Sequence, residues 1–463
     1  MKNVFPKLRA LATRVETWYQ SFFSIAEIRG NPTLQWAFGA MLFYFYVTFD
    51  SWIISSAVTV QNAGNAVCWP HFQNCGWLYF LNNLPSGYSQ TTFYMALYTV
   101  MLLIIYCMWK KRWTAAHALM LILFVWKAFV GYFLSYGILG MYDDYHLILT
   151  AALLFIPHKE YFLKLLFVVL YFVSATIKFH PAWVLGTYFT SLQSGLPLFP
   201  DALMPLITGS VILEQVVGCW FLMSKNKVAQ RLAFGYFLIF HLYSGVLVLY
   251  NYPSATLPAL IILFGPMYRY QRPPLSWKAV GGWTLVGLMF VFQMPSWIPD
   301  ADTLRITDGN NRYGMWMFDA NHQCVTTVKY YYRPGIKLVK ASSEVASGES
   351  CANFECVTKS ETYEENGGWV KEIRLESPVS WKRCDPYEKW ALQKNKCTGR
   401  VAHVSMQLDH SINGGPFYRI IDEQNICELQ YHVFGQNTWI QAPPEAPAVG
   451  TPLKNVYRYQ GQQ

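Results

Sequence analysis

The sequence predicts an α-helical polytopic membrane bundle of about nine spans, followed by a mostly β extracytoplasmic domain. Three observations point there. Charged residues are 14% of the chain and hydrophobic ones 53%, against roughly 25% charged in a typical soluble domain. The scarcity is uneven: charges are sparse and clustered up to about residue 295 and dense beyond it. The clusters in the first part also recur in every second gap between apolar runs, as expected of loops that stay in the cytoplasm.

A helix needs about 20 apolar residues to cross a hydrocarbon core of roughly 30 Å. Candidate spans are 36–58, 92–109, 114–136, 146–158, 162–182, 203–223, 232–251, 254–268 and 279–297. The fourth and eighth are short, which tilt or polar residues facing the protein interior would accommodate. The first 30 residues are amphipathic and basic, and no small-residue cleavage site follows the run that starts near Trp36. That run therefore reads as a retained helix and not as a signal peptide.

Lys110, Lys111 and Arg112 follow the second span; His158, Lys159 and Lys164 follow the fourth. Lys225, Lys227 and Arg231 follow the sixth; Arg269, Arg272 and Lys278 follow the eighth. The alternation places the N-terminus in the cytoplasm and the C-terminal domain outside, in a bacterial periplasm or, in a eukaryote, the ER lumen. The formal charge of +9 then sets topology, and a nucleic-acid partner is excluded.

Cys68 and Cys75 fall in the first outer loop, and Cys324, Cys351, Cys356, Cys384, Cys397 and Cys427 in the outer domain, while Cys107 and Cys219 lie within spans. An even set of eight in an oxidising compartment reads as a disulfide framework whose pairing stays open. A zinc site is the competing reading, but Cys351-x4-Cys356 lacks a second pair at zinc spacing, and no metal is expected.

The domains are 1–297 in the membrane, 298–443 as the disulfide-bearing β part, and 444–463 as a loose Pro-rich tail. Val325–Tyr332 and Trp369–Leu375 alternate as strands do, and His403–Leu408 pairs with Phe417–Ile421 across Asn413-Gly414-Gly415.

Ionisable groups at membrane depth are expensive, which makes them functional candidates. Lys178 stands near the outer end of the fifth span, Glu214 within the sixth, and His241 within the seventh. Asp143, Asp144 and His146 cluster where the third and fourth spans meet. Each also has a plain reading: a lysine that snorkels to the headgroups, a glutamate bonded to a neighbouring helix, a packing histidine, solvated loop aspartates. The functional reading is that an amine in an apolar site disfavours its charged form and acts as a base, with carboxylates and a histidine relaying protons.

The stretch Tyr171-Phe172-Val173-Ser174-Ala175-Thr176-Ile177-Lys178-Phe179-His180-Pro181-Ala182-Trp183-Val184-Leu185-Gly186 resembles the vitamin K-dependent γ-glutamyl carboxylase family and the wider bacterial group of HTTM-domain membrane proteins. Val67-Cys68-Trp69-Pro70, Glu214, Phe240-His241, Arg312-Tyr313-Gly314-Met315-Trp316-Met317, His322-Gln323 and Arg419-Ile420-Ile421-Asp422 continue the likeness in order. The resemblance implies an HTTM-like first domain and a lyase-class enzyme. It would couple oxygenation of reduced vitamin K, or a menaquinol-like quinol, to carboxylation or a related modification of a secreted peptide or protein, with O2 and CO2 as co-substrates. It implies Lys178 as the base assisted by Asp143, Asp144 and His146, and a quinol pocket of Trp183, Glu214, His241, Tyr313, Met315 and Met317.

The family has two asparagines and a histidine where this chain reads Tyr142-Asp143-Asp144-Tyr145-His146, which implies that Asp144 or His146 substitutes. The alternative function is a non-redox membrane factor that binds and matures a secreted peptide, such as a toxin or immunity component. A transporter ranks third, since no paired broken helices stand in corresponding halves.

Overall fold

The structure is a computed structural model that describes residues 4–48, 67–72, 75, 77, 88–134, 136, 141–179, 181–186, 189, 196–250, 252–294, 322–344, 351–352, 355–377, 384–397, 399–412, 417–433 and 437–441.

The first part is helical. α1 (Val4–Phe22), α2 (Ile25–Gly30) and α3 (Pro32–Val47) open it. Asn31 separates α2 from α3 and caps α3: its side chain accepts a hydrogen bond from Thr33 N, and Pro32 has no N–H to leave unsatisfied. Next come α4 (Tyr88–Trp109), α5 (Trp113–Phe129) with a π turn over Val130–Leu134, and α6 (Met141–Phe155). α7 (Lys159–Thr176) begins after His158, whose φ of 57° breaks the chain direction. Glu27 of α2 accepts from the N–H groups of His158 and Lys159 at 3.0 and 2.8 Å, and so caps α7 from another helix. α8 (Met204–Leu213) continues through a π segment, Glu214–Gly218, into a last turn, Cys219–Phe221. α9 (Lys227–Val246), α10 (Pro253–Phe264) and α11 (Val280–Gln293) follow.

α7 is the hub. Fifteen of its 18 residues are buried, and it packs against α3, α6, α10, α11 and the π segment of α8. The approach of α11 depends on Gly282, where a Cβ would lie 2.3 Å from the ring of fully buried Phe162. Overpacking a well-filled core costs typically about 1–3 kcal/mol. Gly282→Ala is therefore expected to lower the unfolding midpoint, and an unchanged melt would mean that Phe162 has room to turn aside.

The nine-span membrane bundle expected from the sequence is corrected here. Among the described residues two helices are long and apolar enough to cross a membrane, Trp113–Phe133 and Asp201–Phe221, with shorter apolar helices at Tyr94–Trp109 and Pro253–Phe264. An apolar run in sequence is neither a continuous helix nor a lipid-facing one. The run 146–158 ends as helix at Phe155, and the run 254–268 is helical only to Phe264, in a helix of 12 residues. The run 162–182 is largely α7, whose apolar surface faces other helices. The helical part nonetheless exposes large apolar side chains, among them Trp109, Leu206, Leu232, Ile239 and Val246, more than a monomer in water commonly leaves uncovered.

The last part is, among the described residues, a seven-stranded antiparallel sheet. Its strands are β1 (His322–Tyr332), β2 (Ala341–Glu344), β3 (Cys351–Ala352), β4 (Glu355–Glu365), β5 (Gly368–Ser377), β6 (Val401–Ile412) and β7 (Tyr418–Glu423). The order is β2-β4-β5-β1-β6-β7, with β3 paired to β4. The β4–β5 hairpin turns on Asn366 and Gly367, both at positive φ, the conformation that lets a two-residue turn match strand twist. β1 and β5 contain the two stretches read as strands from their alternation, and β6 pairs with β7 as the hairpin reading expects; Asn413, Gly414 and Gly415 lie outside the described residues.

One face of the sheet, through Val328, Val404, Met406 and Leu408, packs on α12 (Pro386–Lys394), which contributes Tyr387, Trp390 and Ala391. Among the described residues three disulfides form: Cys68–Cys75, Cys324–Cys384 and Cys397–Cys427. The last two bracket α12, and in the chain-entropy account loops of 60 and 30 residues contribute roughly 4 kcal/mol each. Cys351 and Cys356 are register partners of β3 and β4. Cys107 and Cys219 are free and buried.

α12 also joins the two parts. Asp385 caps it by accepting from Tyr387 N at 2.8 Å, and its other oxygen accepts from the hydroxyl of Tyr136. Tyr387 donates to the carbonyl of Cys68 at 2.5 Å.

Burial pushes Lys389 of α12 down to about 7. Between that value and the ordinary lysine range the unfolded chain holds a proton that the folded chain lacks, so stability should rise with pH across this window. The slope for one group is up to about 1.4 kcal/mol per pH unit. Lys389→Met is expected to remove this rise in a denaturant series at several pH values; an equal slope in the variant would contradict it.

Candidate functional site

A cavity of about 330 Å³ lies beside the C-terminal end of α7, enclosed by α6, α8, α9 and the start of α10. Aromatic rings dominate its wall: Tyr145, Tyr171, Trp183, Phe189 and Phe240.

Lys178 follows α7 and is 2% exposed. Its Nζ donates to the carbonyl of Ser174 at 2.6 Å and sits 5.6 Å from the centre of the Trp183 ring. Among the described residues no carboxylate pairs with it, in contrast to Lys127 with Asp143 and Lys164 with Glu160. The helix ends here because the chain turns through Ile177 and Lys178 toward Pro181, which begins the next turn. Trp183 meets Phe189 edge-on at 5.1 Å. Its turn returns through Gly186 at φ 73°, where a Cβ would come within 2.6 Å of Met204 at the start of α8; only glycine fits both demands.

His241 of α9 also lines the cavity. Its Nε2 and the hydroxyl of Tyr171 share a hydrogen bond, its Nδ1 is 3.3 Å from Thr256 Oγ1, and Tyr252 packs edge-on against the ring. Both ring nitrogens are thereby engaged, which orients the imidazole and its tyrosine partner. From α8, Gln215 lines the cavity, and its Oε1 is buried without a hydrogen-bond partner.

Lys178, Trp183 and His241 thus come together on one cavity. Glu214 does not line it; the side chain is half-buried and lies over Gly218, where a Cβ would meet its carboxylate. The π segment widens the turn, and its neighbour Gln215 points inward instead.

Asp143, Asp144 and His146 form a separate cluster. Asp143 is ion-paired with Lys127 at 2.6 Å, both buried, and accepts from the Tyr44 hydroxyl at 3.3 Å. Lys127 also lies over the Tyr44 ring, 4.8 Å from its centre. The Tyr132 hydroxyl donates to Asp144. His146 Nε2 is 2.9 Å from the carbonyl of Met41. Helical spacing explains the split: Tyr142 and Tyr145 are three apart and face the cavity, while Asp143 and His146, also three apart, face α3 and α5. Tyr313, Met315 and Met317 lie outside the described residues.

Sequence reasoning passed over Lys127 and Gln215. Lys127 is a single charge inside the apolar run 114–136, the same signal that singles out Lys178. Gln215 had no such signal, because its direction depends on the π turn. No family model matches this chain, and no curated protein or solved structure matches it either.

Proposed function

We propose that this chain is a membrane-associated enzyme that binds a quinol, of the reduced vitamin K or menaquinol type, in the Lys178 cavity. Its oxygenation would be coupled to γ-carboxylation, or a related modification, of a secreted peptide or protein. The observation that carries this reading is the buried Lys178 amine, without a carboxylate partner among the described residues, at the edge of a ring-lined cavity of about 330 Å³.

The residues present fit such a ligand. Trp183, Tyr171 and Phe240 offer faces and edges for an aromatic head group, and the free Gln215 oxygen offers an acceptor to a ring hydroxyl. A quinol supplies the reducing chemistry: its oxygenation yields the epoxide and water from O2, and the base strength released removes a glutamate γ-proton so that CO2 adds. Lys178 Nζ takes the proton of a ring hydroxyl. The Tyr171–His241 pair forms part of the wall, and the surrounding rings exclude water.

The exposed apolar side chains of the helical part and its two long apolar helices support a seat in the membrane. The three disulfides support an oxidising compartment for the C-terminal part, and the basic N-terminal stretch supports a cytoplasmic start.

The test is to incubate the purified chain in nanodiscs with reduced vitamin K, and separately menaquinol, under oxygen, and to assay the epoxide by mass spectrometry. Epoxide would establish the redox step. Its absence from folded protein with both quinols would leave the second reading, a non-redox factor for a secreted peptide. One observation favours that alternative: Asp143, Asp144 and His146 are engaged away from the cavity.

A further inference from the structure

Among the groups that line the Lys178 cavity, the Gln215 amide stands out. Its Oε1 is buried with no hydrogen-bond partner, and the side chain as a whole is 5% exposed. Other polar groups facing the cavity are engaged, among them Lys178 with Ser174, Tyr171 with His241, Thr208 with Met204, Ser210 with Ile207, Ser244 with Phe240 and Tyr243 with Pro197. A buried amide oxygen left unpaired is destabilising, and native proteins almost always satisfy one.

The backbone at this point is itself unusual. Glu214–Gly218 winds as a π segment between two α-helical stretches. A π turn gives up regular α-helical bonding and recurs at functional sites. Here it folds Glu214 back over the bare Cα of Gly218 and leaves Gln215 facing the cavity. The unsatisfied amide and the distorted helix are independent observations, and both direct one polar group into an otherwise apolar space.

We propose that Gln215 is the specificity-determining residue of this cavity, pairing with a hydroxyl on the ring of the bound ligand. Its unpaired Oε1 is an acceptor, and a ring hydroxyl supplies the donor that it lacks. The inference deepens the quinol reading and rests on it: the ligand class becomes an aromatic ring with at least two hydroxyls, one facing Lys178 and one facing Gln215. A quinone or a ring ether cannot donate to Gln215 and is disfavoured.

The test is calorimetric binding to the full chain in detergent micelles under argon, with two probes that then need no thiol reductant, which spares the disulfides. They are 4-methoxy-1-naphthol, with one ring hydroxyl, and 1,4-dimethoxynaphthalene, with none. Gln215→Met keeps the side-chain length and removes the amide, and Lys178→Met serves as a background without the competing amine. In that background, Gln215→Met is expected to weaken the naphthol about five- to tenfold, the usual scale for one lost hydrogen bond, and to leave the ether unchanged.

Equal naphthol binding with and without Gln215→Met would overturn the proposal, as would equal binding of the two probes to the Lys178→Met protein. If epoxide forms but Gln215→Met does not weaken the naphthol, this inference alone fails. If the hydroxyl preference depends on Gln215 but no epoxide forms, the turnover reading fails and the binding role stands. Binding of neither probe to the wild-type chain overturns both.

Discussion

Replacing Lys178 with methionine is expected to lower quinol epoxidation by roughly 10²–10⁴-fold, the usual contribution of a positioned acid or base. Methionine keeps the unbranched stem against Trp183 and loses only the amine. The loss should therefore fall on turnover, while the unfolding midpoint and the retention of an aromatic probe stay close to those of the wild type. The amine has a single protein hydrogen bond, to the carbonyl of Ser174, and no carboxylate partner among the described residues. Removing it breaks no ion pair, and a fall in activity could not be blamed on a stranded charge. Measured turnover within a few fold of wild type would remove Lys178 from the role of base. A loss of turnover together with a collapse of the melt would instead reveal a packing residue.

The second large effect concerns stability. Asp143→Ala is expected to destabilise the fold by about 3–5 kcal/mol, because it leaves Lys127 charged and buried without its partner. Lys127 is fully buried and Asp143 is 1% exposed, so water does not readily replace the lost carboxylate. The double variant Lys127→Met with Asp143→Leu is expected to recover most of the loss, since two apolar residues of similar size need no counter-charge. Denaturant unfolding of both single variants and the double would measure the coupling directly. Simple additivity would show that the pair does not act as a unit. A catalytic Asp143 predicts the opposite pattern, with activity lost and stability kept.

The two variants separate what one helix turn joins in sequence. The run Tyr142–His146 reads as one polar cluster that could assist Lys178, yet α6 sends its members to opposite sides. Tyr142 and Tyr145 wall the cavity; Asp143 and His146 hold α3 and α5 together. Proximity along the chain cannot distinguish the two, because a helix turns by about 100° at each residue.

Some features were legible without coordinates. Alternation of side chains in Val325–Tyr332 and Trp369–Leu375 already marks strands, because a pleated chain repeats every two residues. Eight cysteines read as disulfide formers from their number and place, and among the described residues six of them pair. Lys178 stood out as a charge in an apolar stretch, and burial beside Trp183 is where it lies.

Other features only the tertiary structure decided. The number of candidate membrane helices was overstated, since hydropathy measures composition and cannot tell a helix wrapped by other helices, as α7 is, from one wrapped by lipid. Which cysteine meets which depends on strand and helix positions far apart in the chain. The exchange of Glu214 for Gln215 at the cavity wall follows from a π turn that Gly218 permits by leaving room for a carboxylate. In each case local sequence sets the chemistry available, and long-range packing selects the face on which it is used.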